Sequence, residues 1–371
     1  MGTVRGALLI SLVERYLLLA LALGSNIVLA RLLTPEQIGI YSVSMAVLGM
    51  AQVLRDFGIG SYLVQARTLD DEQTGTAFGL SMLLGTAFFL VVFLSAPWVA
   101  DYYRDERVAG TLRICAFNFI VLPFSTVPMA VLRRELKFKQ TMHASIASGV
   151  VTAFLSAGLA FAGLGVNALA LGAMLGNVAL VVVLAIVAPR SCFPRPRLTH
   201  WRAILSFGGQ TSMTGVLNSV AVDMNDLVVG KVLGFQSVAI LSRAQGLMNM
   251  FNRDLMGAIR NVALPAFASA HRDGVALHGP YARSVGLVTL FAWCFHALVS
   301  IYALEVLHLL YGAQWHAAAP LVPLFCLSGA VAAINALTPN LLTGIGRIGL
   351  VTRVEVALQP MRMALIAGAA L

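Results

Sequence analysis

The sequence predicts an all-α, polytopic membrane protein of about eleven transmembrane helices, set out as two pseudo-symmetric bundles of about six, the second incomplete. Three observations lead there. Of the 371 residues, 59% are hydrophobic and only 11% charged, whereas a water-facing surface brings the charged share to roughly 25%. The apolar residues gather into runs long enough to cross a hydrocarbon core, which takes about 20 residues per helix. The chain also carries a weak internal repeat at an offset of 200 residues, the mark of a duplicated bundle. Thirty-three glycines agree with a lipid setting, where helices tolerate glycine more often than in water.

Windows of that length place spans near 8–30, 38–56, 76–98, 111–131, 142–163, 167–188, 204–226, 235–256, 283–304, 317–338 and 349–371. The first contains Glu14 and Arg15, is too long for a signal-peptide h-region and has no clear cleavage site, so it reads as a retained helix. Gly75/Gly79 and Gly172/Gly176 have the GxxxG spacing that lets helices approach closely. Pro123, Pro128 and Pro339 fall within the fourth and tenth helices, where they predict kinks. After the sixth span comes Pro189 to Trp201 (PRSCFPRPRLTHW), whose three prolines and three arginines make a stiff, non-helical spacer. The expected organisation is an N-terminal bundle over 1–189, a cytoplasmic linker over 190–201 and a C-terminal bundle over 202–371. The last span reaches Leu371 in an apolar run without a polar cap, which reads as a helix cut short, with a longer parent protein beyond it.

Orientation follows from where lysine and arginine fall, because cytoplasmic loops are enriched in both. With the N-terminus in the cytoplasm, seventeen lie on inside loops and five (Arg31, Arg104, Arg107, Arg113 and Lys231) on outside loops. A missed helix would scramble that alternation. The repeat superposes Arg31-Leu-Leu-Thr-Pro-Glu-Gln-Ile-Gly-Ile-Tyr-Ser42 on Lys231-Val-Leu-Gly-Phe-Gln-Ser-Val-Ala-Ile-Leu-Ser242 without a gap. Two halves of the same topology are parallel repeats, a plan common among transporters.

Ionisable and polar residues inside a membrane face a bundle interior or a wet cavity. The least apolar spans are the seventh, with Asp223 and Asp226, and the eighth, where Ser242, Gln245, Asn249 and Asn252 fall on one helical face between Arg243 and Arg253. Two hundred residues earlier, Ser42, Met45, Gly49 and Gln52 occupy the matching face, ending at Arg55 and Asp56. With Glu14 and Arg15 on the first helix, these predict a polar, net positive central cavity. Arginine suits phosphate and diphosphate because its planar fork donates paired hydrogen bonds. The plainer alternative pairs Glu14 and Arg15 with each other or with Asp56, and leaves Arg55 and Arg253 as anchors at the headgroups.

Other classes find little support. The net charge of +9 sits in short loops between apolar runs rather than on one soluble face, so nucleic acid is not the expected partner. Cys115, Cys192, Cys294 and Cys326 lack metal-ligand spacing, and His271, His278, His308 and His316 read as loop residues. Trp98, Tyr102, Tyr103 and Trp315 fall near predicted outer ends, as interfacial aromatics do. No nucleophile elbow, phosphate loop or metal cluster is present, so neither an enzyme nor a cofactor is expected.

The run Leu29-Ala-Arg-Leu-Leu-Thr-Pro-Glu-Gln-Ile-Gly-Ile-Tyr41, followed by Arg55-Asp-Phe-Gly-Ile-Gly60, resembles the N-terminal signature of bacterial polysaccharide transporters. These are the O-antigen and exopolysaccharide flippases of the multidrug/oligosaccharidyl-lipid/polysaccharide exporter superfamily. Asp226-Leu-Val-Val-Gly-Lys-Val-Leu-Gly234, Leu241-Ser-Arg-Ala244 and Val262-Ala-Leu-Pro-Ala-Phe267 agree in order. The resemblance implies a multi-pass protein of the bacterial inner membrane. Its expected substrate is an undecaprenyl-diphosphate-linked oligosaccharide, moved by alternating access, with H+ or Na+ as a possible coupling ion. By helix position it implies Arg15, Arg55 and Arg243 as diphosphate ligands. Gln52, Gln245, Asn249, Asn252 and Arg253 line the predicted cavity, and Glu14, Asp223 and Asp226 are its candidates for ion coupling. The departure is the early stop near the eleventh helix. The alternatives are a cation-coupled multidrug antiporter, for which Asp223 and Asp226 would supply the carboxylates, and a membrane glycosyltransferase, ligase or polymerase.

Overall fold

The computed structural model describes residues 2–66, 69–189, 194–199, 201–202, 204–205, 219, 223–274, 276–347, 349–350, 353–354 and 358, with side chains from residue 13 onward except those of 253, 254, 258 and 261. Every regular element among them is helical. Among the described residues seven helices are long and apolar enough to cross a membrane, or eight if one bent pair is a single span. The predicted spans 204–226 and 349–371 lie largely outside the described residues. The chain forms two compact units, Met1–Phe235 and Gln236–Leu371.

In the first unit α1 (Gly2–Leu32) leads by a tight turn into α2 (Pro35–Asp56). Thr34 caps α2 in a reciprocal box: its hydroxyl accepts from the Gln37 amide at 3.3 Å, and Gln37 Oε1 accepts from the Thr34 amide at 3.1 Å. Pro35 then opens the helix, where its missing N–H costs nothing. In the second copy of the repeat a helix opens at Phe235, so the 200-residue offset seen in sequence is also the offset between helix starts. Phe57 and Gly58, both left-handed (φ 37° and 64°), end α2 and turn the chain into α3 (Ile59–Gln65).

Asp70 caps α4 (Asp71–Tyr103), accepting from the Gln73 amide at 2.6 Å. The predicted fourth span is broken into α5 (Glu106–Ala116), α6 (Asn118–Val121) and α7 (Pro123–Arg134), bent by 47° at Pro123. Proline lacks the N–H of the helical ladder and its ring crowds the carbonyl four residues back, so the kink is the one the sequence foretold. α8 (Phe138–Phe161) and α9 (Val166–Val187) follow.

The two GxxxG pairs serve different partners. Gly172 and Gly176 on α9 face Ser156 and Thr152 of α8, and a Cβ at either glycine would overlap those side chains. Gly176→Ala should therefore cost about 1–3 kcal/mol through overpacking. Gly158→Ala on α8, where a Cβ meets nothing within 4 Å, should be neutral or gain a few tenths. Melting temperatures of the two purified variants test this contrast, and equal shifts would refute it. Gly75 and Gly79 do not seat a helix. The backbone of the proline-arginine spacer lies across them: the Arg197 amide donates to the Gly75 carbonyl at 3.0 Å, and a Cβ on Gly75 would come 2.5 Å from the Arg195 carbonyl oxygen. Residues 195–197 of the spacer are thus strapped to the first turns of α4.

The second unit holds α10 (Phe235–Asn249), a π-helical turn (Met250–Leu255) and α11 (Met256–Arg272), which run on without a loop. It continues with α12 (His278–Ile301), α13 (Ala303–Tyr311), a 3₁₀ segment (Ala313–Leu321), α14 (Val322–Ile334) and α15 (Thr338–Gly344). Phe251, Met256, Phe267, Val288, Ala292, Ala333 and Leu337 form one buried cluster. Leu287, Leu290, Phe291 and Leu298 of α12 stay exposed, as apolar side chains do when lipid is the solvent. His308 and His316 are paired across the turn after α13, ring nitrogens 3.0 Å apart.

Candidate functional site

Arg55 sits in the last turn of α2 and is only 2% exposed. Beyond the left-handed break α3 continues the run of α2, and α7, bent by 47° at Pro123, packs alongside α3. One guanidinium nitrogen donates to Thr126 Oγ1 at 3.4 Å and another pairs with Asp56 Oδ1 at 2.7 Å. Its Nε has no partner among the described residues. Asp56 itself is half exposed and keeps part of its carboxylate in contact with solvent.

Around this group opens a pocket of about 570 Å³, lined by Gln52, Arg55, Ser61, Gln65, Thr126 and Arg133 among others. Arg134 braces its wall, donating to the backbone carbonyls of Leu63 at 3.1 Å and Ala66 at 2.5 Å at the end of α3. The pocket sets two guanidinium groups against one carboxylate, with hydroxyls and amides among them, and guanidinium groups of this kind can pair with a carboxylate or phosphate. The sequence singled out Gln52 and Arg55. Ser61, Gln65, Thr126 and Arg133 were missed, although the Pro123 kink and the inside position of Arg133 were the signals available.

The other expected residues are placed as follows. Arg15 is exposed on α1 and Glu14 half-buried, with no ion pair joining them among the described residues. Asp223 accepts from Ser219 Oγ at 2.5 Å and faces Gly49 of α2, where a Cβ would lie 2.8 Å from its carboxylate. Asp226 bonds Asn225 and feels the charge of Asp223. In the second unit Arg243 is buried, its guanidinium carbon 4.9 Å from the Tyr311 ring centre and 4.8 Å from that of Trp315. Gln245, Asn249 and Asn252 are half-buried, and the side chain of Arg253 lies outside the described residues.

At the opposite end of α2, charged side chains link it to α5. Arg107 bonds Glu36 at the start of α2 and, at 2.7 Å, Asp105 at the start of α5. The Arg107 guanidinium holds the Asp105 carboxyl below the usual carboxylate range. The stability it contributes is present above the unfolded value of about 3.9 and is lost as pH falls through the lower folded value. Arg107→Ala should lower stability by no more than about 1 kcal/mol at neutral pH, since the bridge is exposed, and should match the parent near pH 2. Thermal melts at both pH values check this. Lys231 reaches the same end, its ammonium 4.1 Å above the Tyr102 ring.

A family model described as a polysaccharide biosynthesis protein matches residues 28–320. The chain is 24% identical over 350 residues to the lipopolysaccharide biosynthesis protein WzxC of Escherichia coli K12, covering 91% of this chain and 69% of that one. It is 21% identical over 291 residues to the teichuronic acid biosynthesis protein TuaB of Bacillus subtilis (75% and 58%). It is 24% identical over 306 residues to the succinoglycan biosynthesis transport protein ExoT of Rhizobium meliloti (81% and 61%). It thus spans roughly three-fifths to two-thirds of their length. Among solved structures, lipid II flippase MurJ in an inward closed conformation aligns with a TM-score of 0.75 at 12% identity, over 98% of this chain and 84% of that one. An inward-facing multidrug resistance MATE transporter of the MOP superfamily aligns with a TM-score of 0.66 at 17% identity, over 95% and 84%. The fold is that of these transporters.

Proposed function

The chain belongs to the polysaccharide biosynthesis protein family, and from that premise we propose that it is a flippase. Its substrate is an undecaprenyl-diphosphate-linked oligosaccharide, a surface-polysaccharide repeat unit carried across the bacterial inner membrane by alternating access, with the N-terminus in the cytoplasm. The observation that carries this reading is the Arg55 pocket. A buried guanidinium with an unused Nε among the described residues, next to Arg133, Thr126, Gln52 and Ser61, is built to meet a doubly charged anion. Such a cost in buried charge is sustained in a membrane where it serves a ligand or an ion path.

The kinship with a succinoglycan transport protein and the fold shared with a lipid II flippase support a lipid-linked saccharide over a drug cation. Arg15, exposed on α1, is a second proposed contact. Arg243 enters as a positioning residue, because Tyr311 and Trp315 cover its guanidinium. Glu14, Asp223 and Asp226 are the acidic groups proposed for ion coupling.

A host deleted for the gene should accumulate the lipid-linked repeat unit and lose surface polysaccharide, with the intact gene restoring both. Normal surface polysaccharide in the deletion strain, together with hypersensitivity to cationic drugs, would replace this reading with the antiporter.

A further inference from the structure

α12 carries one histidine deep in its apolar length. His296 is 2% exposed. Its Nδ1 lies 2.6 Å from the carbonyl oxygen of Ala292, one turn back. That carbonyl can only accept, so Nδ1 holds the proton of the neutral ring and Nε2 is left as a lone pair. Nε2 is buried and has no hydrogen-bond partner among the described residues. It points at a place where two other elements converge: a Cβ on Gly329 of α14 would lie 2.5 Å from Nε2, 2.7 Å from Asn252 Nδ2 and 2.7 Å from Met248 Cγ. Glycine at 329 is what leaves room for the imidazole and the amide side by side.

Asn252 stands in the π-helical turn, the one break in the run from α10 to α11. Single π-turns within α-helices occur frequently at functional positions. The ring also lines a shallow surface groove of about 230 Å³ between α12 and α14, with Trp293, Ser300 and Cys326 beside it. The charged and titratable groups near the imidazole are few. Cys326 is buried on α14, and Arg260 of α11 donates to the Asn252 backbone carbonyl at 3.3 Å. The described acids of this unit, Asp273 and Glu305, are exposed.

We infer that His296, with Asn252 as its partner, is a proton-binding site of the C-terminal unit, separate from the carboxylates proposed for coupling. An imidazole lone pair at this depth takes up a proton only if the new N–H finds an acceptor. Asn252, beside the same glycine, supplies one by turning its amide so that Oδ1 approaches Nε2, since the two ends of an amide exchange roles at no cost in shape. Proton uptake at His296 is thereby tied to the side chain of the π-turn, and so to the helix that also carries Arg243, Gln245 and Asn249. An ionisable group inside a membrane span, facing the protein interior, is where proton relays are found.

Direct proton binding is measured without substrate, on the full chain labelled with ¹⁵N-histidine in nanodiscs. A ring resonance missing from His296→Gln should show the Nδ1–H tautomer at high pH and convert to the doubly protonated ring between about pH 5 and 8, with the midpoint lowered in Asn252→Leu. A ring that stays neutral in one tautomer down to pH 4 overturns the site. The second arm rests on the flippase reading. In proteoliposomes, a one-unit pH gradient, worth about tenfold in proton activity, should raise accumulation of the lipid-linked saccharide several-fold for the parent. His296→Gln should keep only the gradient-independent rate. Gradient stimulation that survives in His296→Gln overturns the coupling role, whereas a titrating ring in a protein that moves no saccharide at all would count against the flippase and leave the proton site standing.

Discussion

Arg55→Ala is expected to abolish polysaccharide export, lowering the flipping rate by about 100-fold or more, while membrane insertion and melting temperature change little. A charge-assisted contact to a phosphate is worth roughly 1.5–3 kcal/mol, and a diphosphate met by a guanidinium fork makes two, which sets that magnitude. Folding is spared because Asp56, the carboxylate that pairs with Arg55 among the described residues, is half exposed and can return to water. Removing a charge from a fully buried pair would instead strand its partner at a cost of about 3–5 kcal/mol. Arg55→Lys keeps the charge but loses the fork and the contact to Thr126. It should recover only part of the rate. Radiolabelled repeat-unit transport in vesicles, normalised to the protein inserted, reads both variants. Wild-type transport in Arg55→Ala would remove the pocket from the mechanism.

Arg243→Ala should be the most destabilising single change to a charged residue in the second unit. Its guanidinium is buried against Tyr311 of α13 and Trp315 of the 3₁₀ segment, and it also bonds the Tyr311 side chain. Each desolvated cation–π contact is worth about 2 kcal/mol, and truncation leaves a cavity besides. A loss of about 3–5 kcal/mol follows, enough to halt accumulation in the membrane. Arg243→Met keeps most of the volume and should recover part of the stability but not all of it. Thermal unfolding in detergent separates the three forms. An Arg243→Ala protein that melts within a degree of the parent, yet fails to transport, would return this residue from a clamp to a direct ligand.

How much of this was legible in the chain depends on what kind of fact it is. The helical runs, the repeat that sets helix starts at 35 and 235, and the break at Pro123 are local, and each shows as hydropathy, spacing or a residue with fixed backbone geometry. The polar face of α2 that bears Gln52 and Arg55 was also legible, because it stands out from the apolar residues around it. What periodicity cannot supply is the partner that a face meets. Gly75 and Gly79 read as a helix-packing pair, yet it is the backbone of residues 195–197 that lies on them. Thr126 and Arg133 joined the pocket only because the bend in the fourth span swings α7 towards α3. Arg243 was read as lining a cavity, and nothing in its own helix announced two aromatic rings from seventy residues downstream. His296 was overlooked inside an apolar run, although an ionisable residue in mid-span is itself a signal. The π-turn that presents Asn252 to it has no sequence signature.

The most direct test is flipping by the purified full-length protein in liposomes, followed as protection of a fluorescent polyprenyl-diphosphate-linked oligosaccharide from a membrane-impermeant quencher. The wild-type protein should transport it, Arg55→Ala should do so little, and the diphosphate carrier should be strongly preferred over the same saccharide on a monophosphate. Equal transport of both carriers, or undiminished transport by Arg55→Ala, would contradict this.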